Sequence, residues 1–414
     1  MLEVESYLKQ KFFEYYESNI NRIKSPSYIK KREFGFILFK DRVMVRHKSF
    51  KDIDELKRFI KTMVPADVYH STAYYLYPEE SMDKKIWEGA DLCFDIDADH
   101  LKTPCKNDHD EWKCMNCGVE GKGVSPKNCP NCGQEKIEEK AWFCEVCIEE
   151  AKNEVKKLVE ILEDDFGIPS KTFYIYFSGH RGYHVHVKAE EVIRLKEDER
   201  KEIVDYLIGN GIDIKLFMLE LKNVDFNELN KLITYKIPIG WRKRIINGLY
   251  SLILSLEKPD LIKIGLNDNF AKEFIEEKNE LESLSVKKML EIYFKLKEKA
   301  RKYILDKVID SSSVNIDTVV TTDIHRLIRL PETLNSKTGF RVVEININEL
   351  DSFNPFDDAL AFINKNEKVY IKDAPKFKLK GETYGPFHEE TRILPIEVAI
   401  LLICKNRAFP IVEK

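Results

Sequence analysis

The chain has 414 residues, 43% hydrophobic and 33% charged, which is length enough for two or three domains and reads as soluble and globular. A formal net charge of −4 excludes a global basic field, so any nucleic-acid binding must be local or metal-mediated. No stretch approaches the roughly 18–20 apolar residues that span a bilayer, and the N-terminus lacks an apolar signal region, so no membrane contact and a cytoplasmic location are expected.

Residues 1–30 read as an aromatic-rich helix around Phe12, Phe13, Tyr15 and Tyr16. Phe34–Phe39 and Arg42–His47 read as two short strands making a hairpin around Lys40-Asp41. A helix is expected over 51–63 and a strand over Tyr69–Tyr77. Then comes Asp91-Leu92-Cys93-Phe94-Asp95-Ile96-Asp97-Ala98-Asp99. On a strand Asp95, Asp97 and Asp99 share one face, while Leu92, Phe94, Ile96 and Ala98 point into a core. Carboxylates two residues apart sit roughly 6.5–7 Å apart at the backbone, and their side chains can converge on a hard cation such as magnesium or manganese. A solvated run of Asp is the plainer reading of such a motif; the large apolar residues interleaved here argue against it. Asp-x-Asp alone also fits nucleases and sugar-nucleotide transferases.

Seven of the nine cysteines fall within Cys105–Cys147, six of them as Cys-x-x-Cys pairs. In a cytosolic chain this spacing argues for zinc rather than disulfides. Cys114/Cys117 and Cys129/Cys132, each followed by glycine and eleven residues apart, read as the knuckles of a zinc ribbon. Cys105, His109, Cys144 and Cys147 then make a second site that encloses the ribbon, and a set of Cys105, His109, Cys114 and Cys117 competes with this grouping. With every ligand position filled, both zinc ions are structural. Cys93 and Cys404 read as core residues.

A helix with Val155, Leu158, Leu162 and Phe166 on one stripe leads to two alternating strands flanking Ser178-Gly179-His180-Arg181-Gly182. Ser178, His180, Arg181 and His184 offer donors for phosphate oxygens, while His186 reads as structural. Residues 192–310 have helical periodicity, with turn signals at Gly209-Asn210-Gly211, Pro238 and Pro259. Val314–Asp323 reads as a strand carrying a third acidic candidate, Asp317, beside the first; Arg326, Arg329 and Lys337 are cations able to meet a triphosphate. The tail ends in an apolar helix from Pro395 to Ala408.

Arg32-Glu33-Phe34, Phe94-Asp95-Ile96-Asp97, Ser178-Gly179-His180-Arg181-Gly182 with His184, and Asp317 through Gly339 occur in the order found in the small, catalytic subunit of the archaeal–eukaryotic type of DNA primase. The chain resembles that family across most of its length. The resemblance implies an α+β fold: a primase-type mixed α/β catalytic core (1–100, 148–192 and 306–414), an inserted zinc-ribbon-like module (101–147) and a mostly helical subdomain (193–305). It implies catalytic, magnesium- or manganese-binding residues Asp95, Asp97 and Asp317, and nucleotide contacts from Ser178, His180, Arg181, His184 and Arg329. The family usually carries His where this chain has Asn335, which can donate a hydrogen bond but carries no charge. The implied activity is that of a nucleotidyltransferase, a DNA-directed RNA polymerase of the primosome. It would make short primers from nucleoside triphosphates on single-stranded DNA in replication, with a primase large subunit as partner. The rival readings are a metal-dependent nuclease or Asp-x-Asp glycosyltransferase, and a non-catalytic zinc module that binds nucleic acid.

Overall fold

The computed structural model describes residues 2–213, 240–279 and 286–411. They fall into two compact units, Met1–Lys156 with Pro169–Lys201 and Ile316–Lys414, and Lys157–Ile168 with Glu202–Asn315. Among the described residues no helix is long and apolar enough to cross a membrane.

The first unit is built on two four-stranded antiparallel sheets. One has the order Leu327–Arg329, Asp67–Ser71, Phe34–Ile37, Met44–Lys48, and contains the expected hairpin. The other has the order Val343–Ile345, Phe173–Phe177, Gly182–Val187, Leu92–Asp97. Gly182–Val187 lies between two partners and is buried at all six positions, so it does not alternate as expected. A strand covered on both faces gains from apolar residues at every position. In the aspartate strand Leu92, Phe94 and Ile96 are fully buried, as is Cys93, and Asp95 and Asp97 keep partial exposure.

A buried ion pair fixes the approach to that strand. The Arg32 guanidinium lies 2.9 Å from the Asp91 carboxylate, both side chains fully buried. Arg32 also donates to the Ser71 and Thr72 carbonyls (2.6 and 3.1 Å) and to the Tyr74 hydroxyl, which itself donates to Asp91. Arg200 donates to the Asp91 and Ala90 carbonyls (3.0 and 2.8 Å). Buried charges are tolerated when their hydrogen-bonding capacity is met in this way. Despite burial, Arg32, His186 and Tyr74 hold the Asp91 carboxyl well below the usual range.

The N-terminal helix, Leu2–Asn19, is shorter than expected and gives way to a single 3₁₀ turn, Ile20–Arg22. Phe12 packs edge-on against Phe39, with ring centroids 5.0 Å apart. The helix over 145–164 buries Val155, Leu158 and Leu162, but Phe166 lies beyond its end and is exposed. The apolar C-terminal helix runs only Ile396–Cys404. Asn406 turns left-handed, at φ 58°, and Ala408–Pro410 pairs with Val369–Ile371 in a three-stranded sheet.

The described residues of the second unit are mostly helical, as the periodicity predicts. Trp241–Ser255, Val286–Lys295 and Glu298–Ser312 enclose Leu249, Ile253, Leu290, Ile304 and Val308. Gly248 lets two helices approach closely, since a Cβ there would lie 2.6 Å from Val308 Cγ1. The turn signal at Pro238 lies outside the described residues.

Candidate active site

Strand register sets the acidic residues against the Ser-Gly-His-Arg-Gly turn. His184 is paired opposite Asp95, and Gly182 opposite Asp97. Only glycine fits there: a Cβ on residue 182 would sit 2.2 Å from the Ile96 carbonyl oxygen and 2.9 Å from Asp97 Cα. Asp99 does not share the strand face with Asp95 and Asp97. The strand ends at Asp97, whose carboxylate accepts from the Asp99 N–H (3.0 Å) and caps a 3₁₀ turn, Ala98–His100. Asp99 pairs instead with Arg181.

Asp317 is not on a strand either. It caps the short helix Thr318–Thr322, its carboxylate accepting from Val319 N and Val320 N (3.0 and 3.4 Å). The Thr-Val-Val run reads as strand, yet an Asp in front of it is a strong N-cap, and here the cap prevails. The residue is nonetheless brought beside the aspartate strand, more than two hundred residues away in sequence, because its N–H donates to the Asp95 carbonyl (2.8 Å). Burial and the charges of Asp97 and Asp317 raise the Asp95 carboxyl to about 7, against the tempering charges of Arg326 and Arg329. The three carboxylates are neighbours rather than a closed cage: among the described residues, only the cysteine sets bring three or more ligand atoms within 4.8 Å of one another. Oxygen donors under mutual repulsion suit a hard divalent cation, which would relieve that repulsion.

The turn itself is held from outside. Its Ser178 N–H donates to the Gly182 carbonyl (2.9 Å). Asn335 donates to the Ser178 carbonyl (3.0 Å), and Thr338 Oγ1 to the Gly179 carbonyl (2.5 Å). Asn335 Oδ1 accepts from Lys337 N (2.9 Å), so this fully buried amide ties the turn at one end to its own loop at the other. Around the turn gather basic groups. Arg181 Nε lies 3.2 Å from Asp97. Arg329 lies 3.4 Å from Asp67, which also accepts from Ser336 N and Oγ (3.1 and 2.6 Å) and meets Arg42 at 3.2 Å. The close packing around Lys337 and the charges of Arg329 and Arg181 lower its ammonium. Burial, then Lys405, Lys337 and Arg329, keep His180 neutral. Burial, then His186, Arg329 and Arg326, do the same for His184, whose Nε2 is 3.6 Å from Asp95. His184 Nδ1 is buried with no hydrogen-bond partner, and so has a donor or acceptor to offer a ligand. His186 is fully enclosed, with Nδ1 3.4 Å from Asp91, which fits the structural part expected of it.

Two residues of this neighbourhood carry no signal in the sequence. Asp67 opens an ordinary strand, and Lys405 is one of two cations, with Arg407, just after an apolar helix. Only the fold joins them to the turn.

The cysteines divide into Cys105/His109/Cys144/Cys147 and Cys114/Cys117/Cys129/Cys132, each with all ligand atoms within 4.8 Å; the mixed set of Cys105, His109, Cys114 and Cys117 is not formed. Sulfur–sulfur distances of 3.4 Å (Cys105–Cys147) and 3.6 Å (Cys114–Cys132 and Cys117–Cys129) are close to the about 3.8 Å edge of a tetrahedral zinc–thiolate site. Gly118 and Gly133 turn at φ 77° and 71° and donate to the Cys114 and Cys129 carbonyls (both 2.9 Å), forming the two knuckles. The Val119 N–H and the Asn131 side chain pull the Cys117 thiol down to about 6. His109 Nδ1 meets Asp110 at 2.8 Å, and the same carboxylate oxygen accepts from Trp142 N at 2.9 Å. That contact leaves Nε2 to face Cys147, 3.3 Å away, in the tautomer a metal ligand needs.

Clustered carboxylates facing a glycine turn ringed by cations have the chemistry to bind a phosphorylated substrate through a divalent cation, as the nucleotidyltransferase class of enzyme requires. A family model described as DNA primase small subunit matches residues 126–347, which include the turn, Asp317 and Arg329. The DNA primase small subunit PriS of Archaeoglobus fulgidus is 35% identical over 408 residues, covering 97% of each chain. That of Methanothrix thermoacetophila is 33% identical over 423 residues, covering 97% of this chain and 98% of its own. That of Nitrosopumilus maritimus is 32% identical over 409 residues, covering 97% of each. The chain belongs to the DNA primase small subunit family.

Proposed function

We propose that this chain synthesises short primers from nucleoside triphosphates on single-stranded DNA, with Asp95, Asp97 and Asp317 as magnesium or manganese ligands. Ser178, His180, Arg181, His184 and Arg329 hold the triphosphate of the incoming nucleotide. One observation supports this most: the Asp317 N–H bonds to the Asp95 carbonyl, beside a turn whose Gly182 lies flat against Asp97. Asp95, Asp97 and Asp317 would hold divalent ions, which would supply Lewis-acid activation of the attacking 3′-hydroxyl and offset charge on the leaving pyrophosphate.

The protein's own groups do the positioning. His180 and His184, neutral in this setting, donate hydrogen bonds to phosphate oxygens without taking a proton from them. Arg181, paired with Asp97 and Asp99, is the strongest phosphate donor of the turn, and a triphosphate competes with those carboxylates for it. Asn335 takes the place of a charged family residue and serves the turn's geometry. The two cysteine sets take one zinc ion each and are structural, since protein atoms fill all four positions. As a small subunit, the chain works with a primase large subunit. Arg181→Ala should raise the KM for nucleotide by tenfold or more in a template-directed assay; a variant with wild-type KM and kcat would remove the turn from the triphosphate site.

A further inference from the structure

The C-terminal helix, Ile396–Cys404, is apolar almost throughout, yet its next residue is Lys405. The Lys405 backbone closes the last helical turn by donating to the Leu401 carbonyl (2.9 Å). Its side chain does not turn back on the helix carbonyls, where a cation at a helix end is ordinarily stabilised. It runs across the Phe143 and Trp142 rings, 5.0 and 5.8 Å from their centroids, and places Nζ 3.0 Å from His180 Nε2. Neutral His180 accepts this bond through Nε2, which fixes its proton on Nδ1.

The ammonium is poorly compensated. It forms no ion pair with any described carboxylate, and the strongest charges acting on it, Arg181 and Lys337, are cations. Burial and those cations push it down to about 7. Setting an ammonium in protein beside like charges is costly unless an anion completes the arrangement. One of its three N–H donors serves His180, and the others are left for a ligand. The aromatic floor holds the charge in place with little loss of side-chain freedom.

We propose that Lys405 is a further phosphate-binding residue of the primer-synthesis site, its ammonium contacting the polyphosphate of the incoming nucleoside triphosphate beside His180. This rests on the triphosphate lying at the Ser178–Gly182 turn. The C-terminal helix thereby becomes part of the nucleotide site, and Lys405 sets the tautomer with which His180 meets the same phosphates.

Calorimetric titration of the full-length protein with a magnesium nucleoside triphosphate, and separately with the nucleoside monophosphate, tests the contact. Lys405→Met keeps the stem over Phe143 and Trp142 and removes the charge; Lys405→Arg keeps the charge. Lys405→Met should lose tenfold or more in triphosphate affinity and less than twofold for monophosphate, with a melting temperature no lower than that of wild type. Lys405→Arg should recover most of the loss. In primer synthesis the effect should appear in KM for nucleotide rather than in kcat. Wild-type triphosphate affinity in Lys405→Met, or equal losses for both nucleotides, would overturn the proposal. Arg181→Ala separates the two levels. If it loses triphosphate binding while Lys405→Met does not, Lys405 alone is misassigned; if it binds as wild type does, the turn itself is not the triphosphate site.

Discussion

Replacing Asp95 by Asn tests the electrostatics of the acidic site independently of activity. The Asp95 carboxyl stands at about 7 against an ordinary 3.8, through burial and the charges of Asp97 and Asp317. Between those two values the folded protein holds a proton that the unfolded chain has released, so stability falls as pH rises through this window. Three units at 1.36 kcal/mol each give a penalty of about 4 kcal/mol once Asp95 is ionised, near pH 8. The same linkage leaves about 2 kcal/mol at pH 5 and under about 1 kcal/mol at pH 4. Asn keeps the shape and never ionises, so Asp95→Asn should be the more stable protein at pH 8, by up to about 4 kcal/mol, and nearly equal to wild type at pH 4. The assay is thermal or denaturant unfolding from pH 4 to 8, in buffer free of magnesium and manganese but without chelator, so that zinc stays bound. Adding magnesium or manganese should stabilise wild type and leave the variant unmoved, because a ligand stabilises only the state it binds. A variant no more stable than wild type at pH 8, or one whose advantage is the same at pH 4, would refute the reasoning.

Gly182→Ala forces a Cβ to within 2.2 Å of the Ile96 carbonyl oxygen, which should lift the turn from the aspartate strand. A loss of about 2 kcal/mol in denaturant unfolding and a large drop in primer synthesis are expected. Arg32→Ala leaves Asp91 buried without its cation and should cost about 3–5 kcal/mol near neutral pH. The Asp91 carboxyl is held below its ordinary value, so the stabilisation that Arg32 gives is present above about pH 4 and fades as acid protonates Asp91; unfolding at pH 3 and pH 7 checks the difference. Metal analysis should find about two zinc ions per chain, and Cys129→Ser about one, with nucleotide binding retained. A wild-type protein with a single zinc would contradict the two-set assignment.

The aspartate strand and the Ser178–Gly182 turn are legible in the sequence because their signals are local. Asp95 and Asp97 interleave with buried Leu92, Phe94 and Ile96, and the donors of the turn lie within seven residues. The cysteine spacings likewise predict the two ligand sets, and the knuckle glycines name their own turns. What the sequence hides is decided by competition or by distance. Asp99 looks like a third strand carboxylate, but Asp97 caps the next turn and takes it out of line. Asp317 sits in a β-branched run that reads as strand, and its capping of a helix depends on weighing one side chain against three. Asp67 and Lys405 are unremarkable where they stand; sheet order brings the first to Arg329 and Ser336, and the C-terminal helix carries the second to His180. Of the Arg32–Asp91 pair only Arg32 belongs to a family motif in the sequence, and its structural purpose emerges from the complete burial of both side chains.

The central claim is that Asp317 completes the catalytic carboxylates of a template-directed polymerase. The most direct measurement is primer synthesis from labelled nucleoside triphosphates on single-stranded DNA, comparing wild type with Asp317→Ala at matched zinc content and melting behaviour. Wild type should give short products only when template and magnesium or manganese are present, and Asp317→Ala should give none. Products from Asp317→Ala at the wild-type rate, or wild-type products that do not depend on template, would contradict the account.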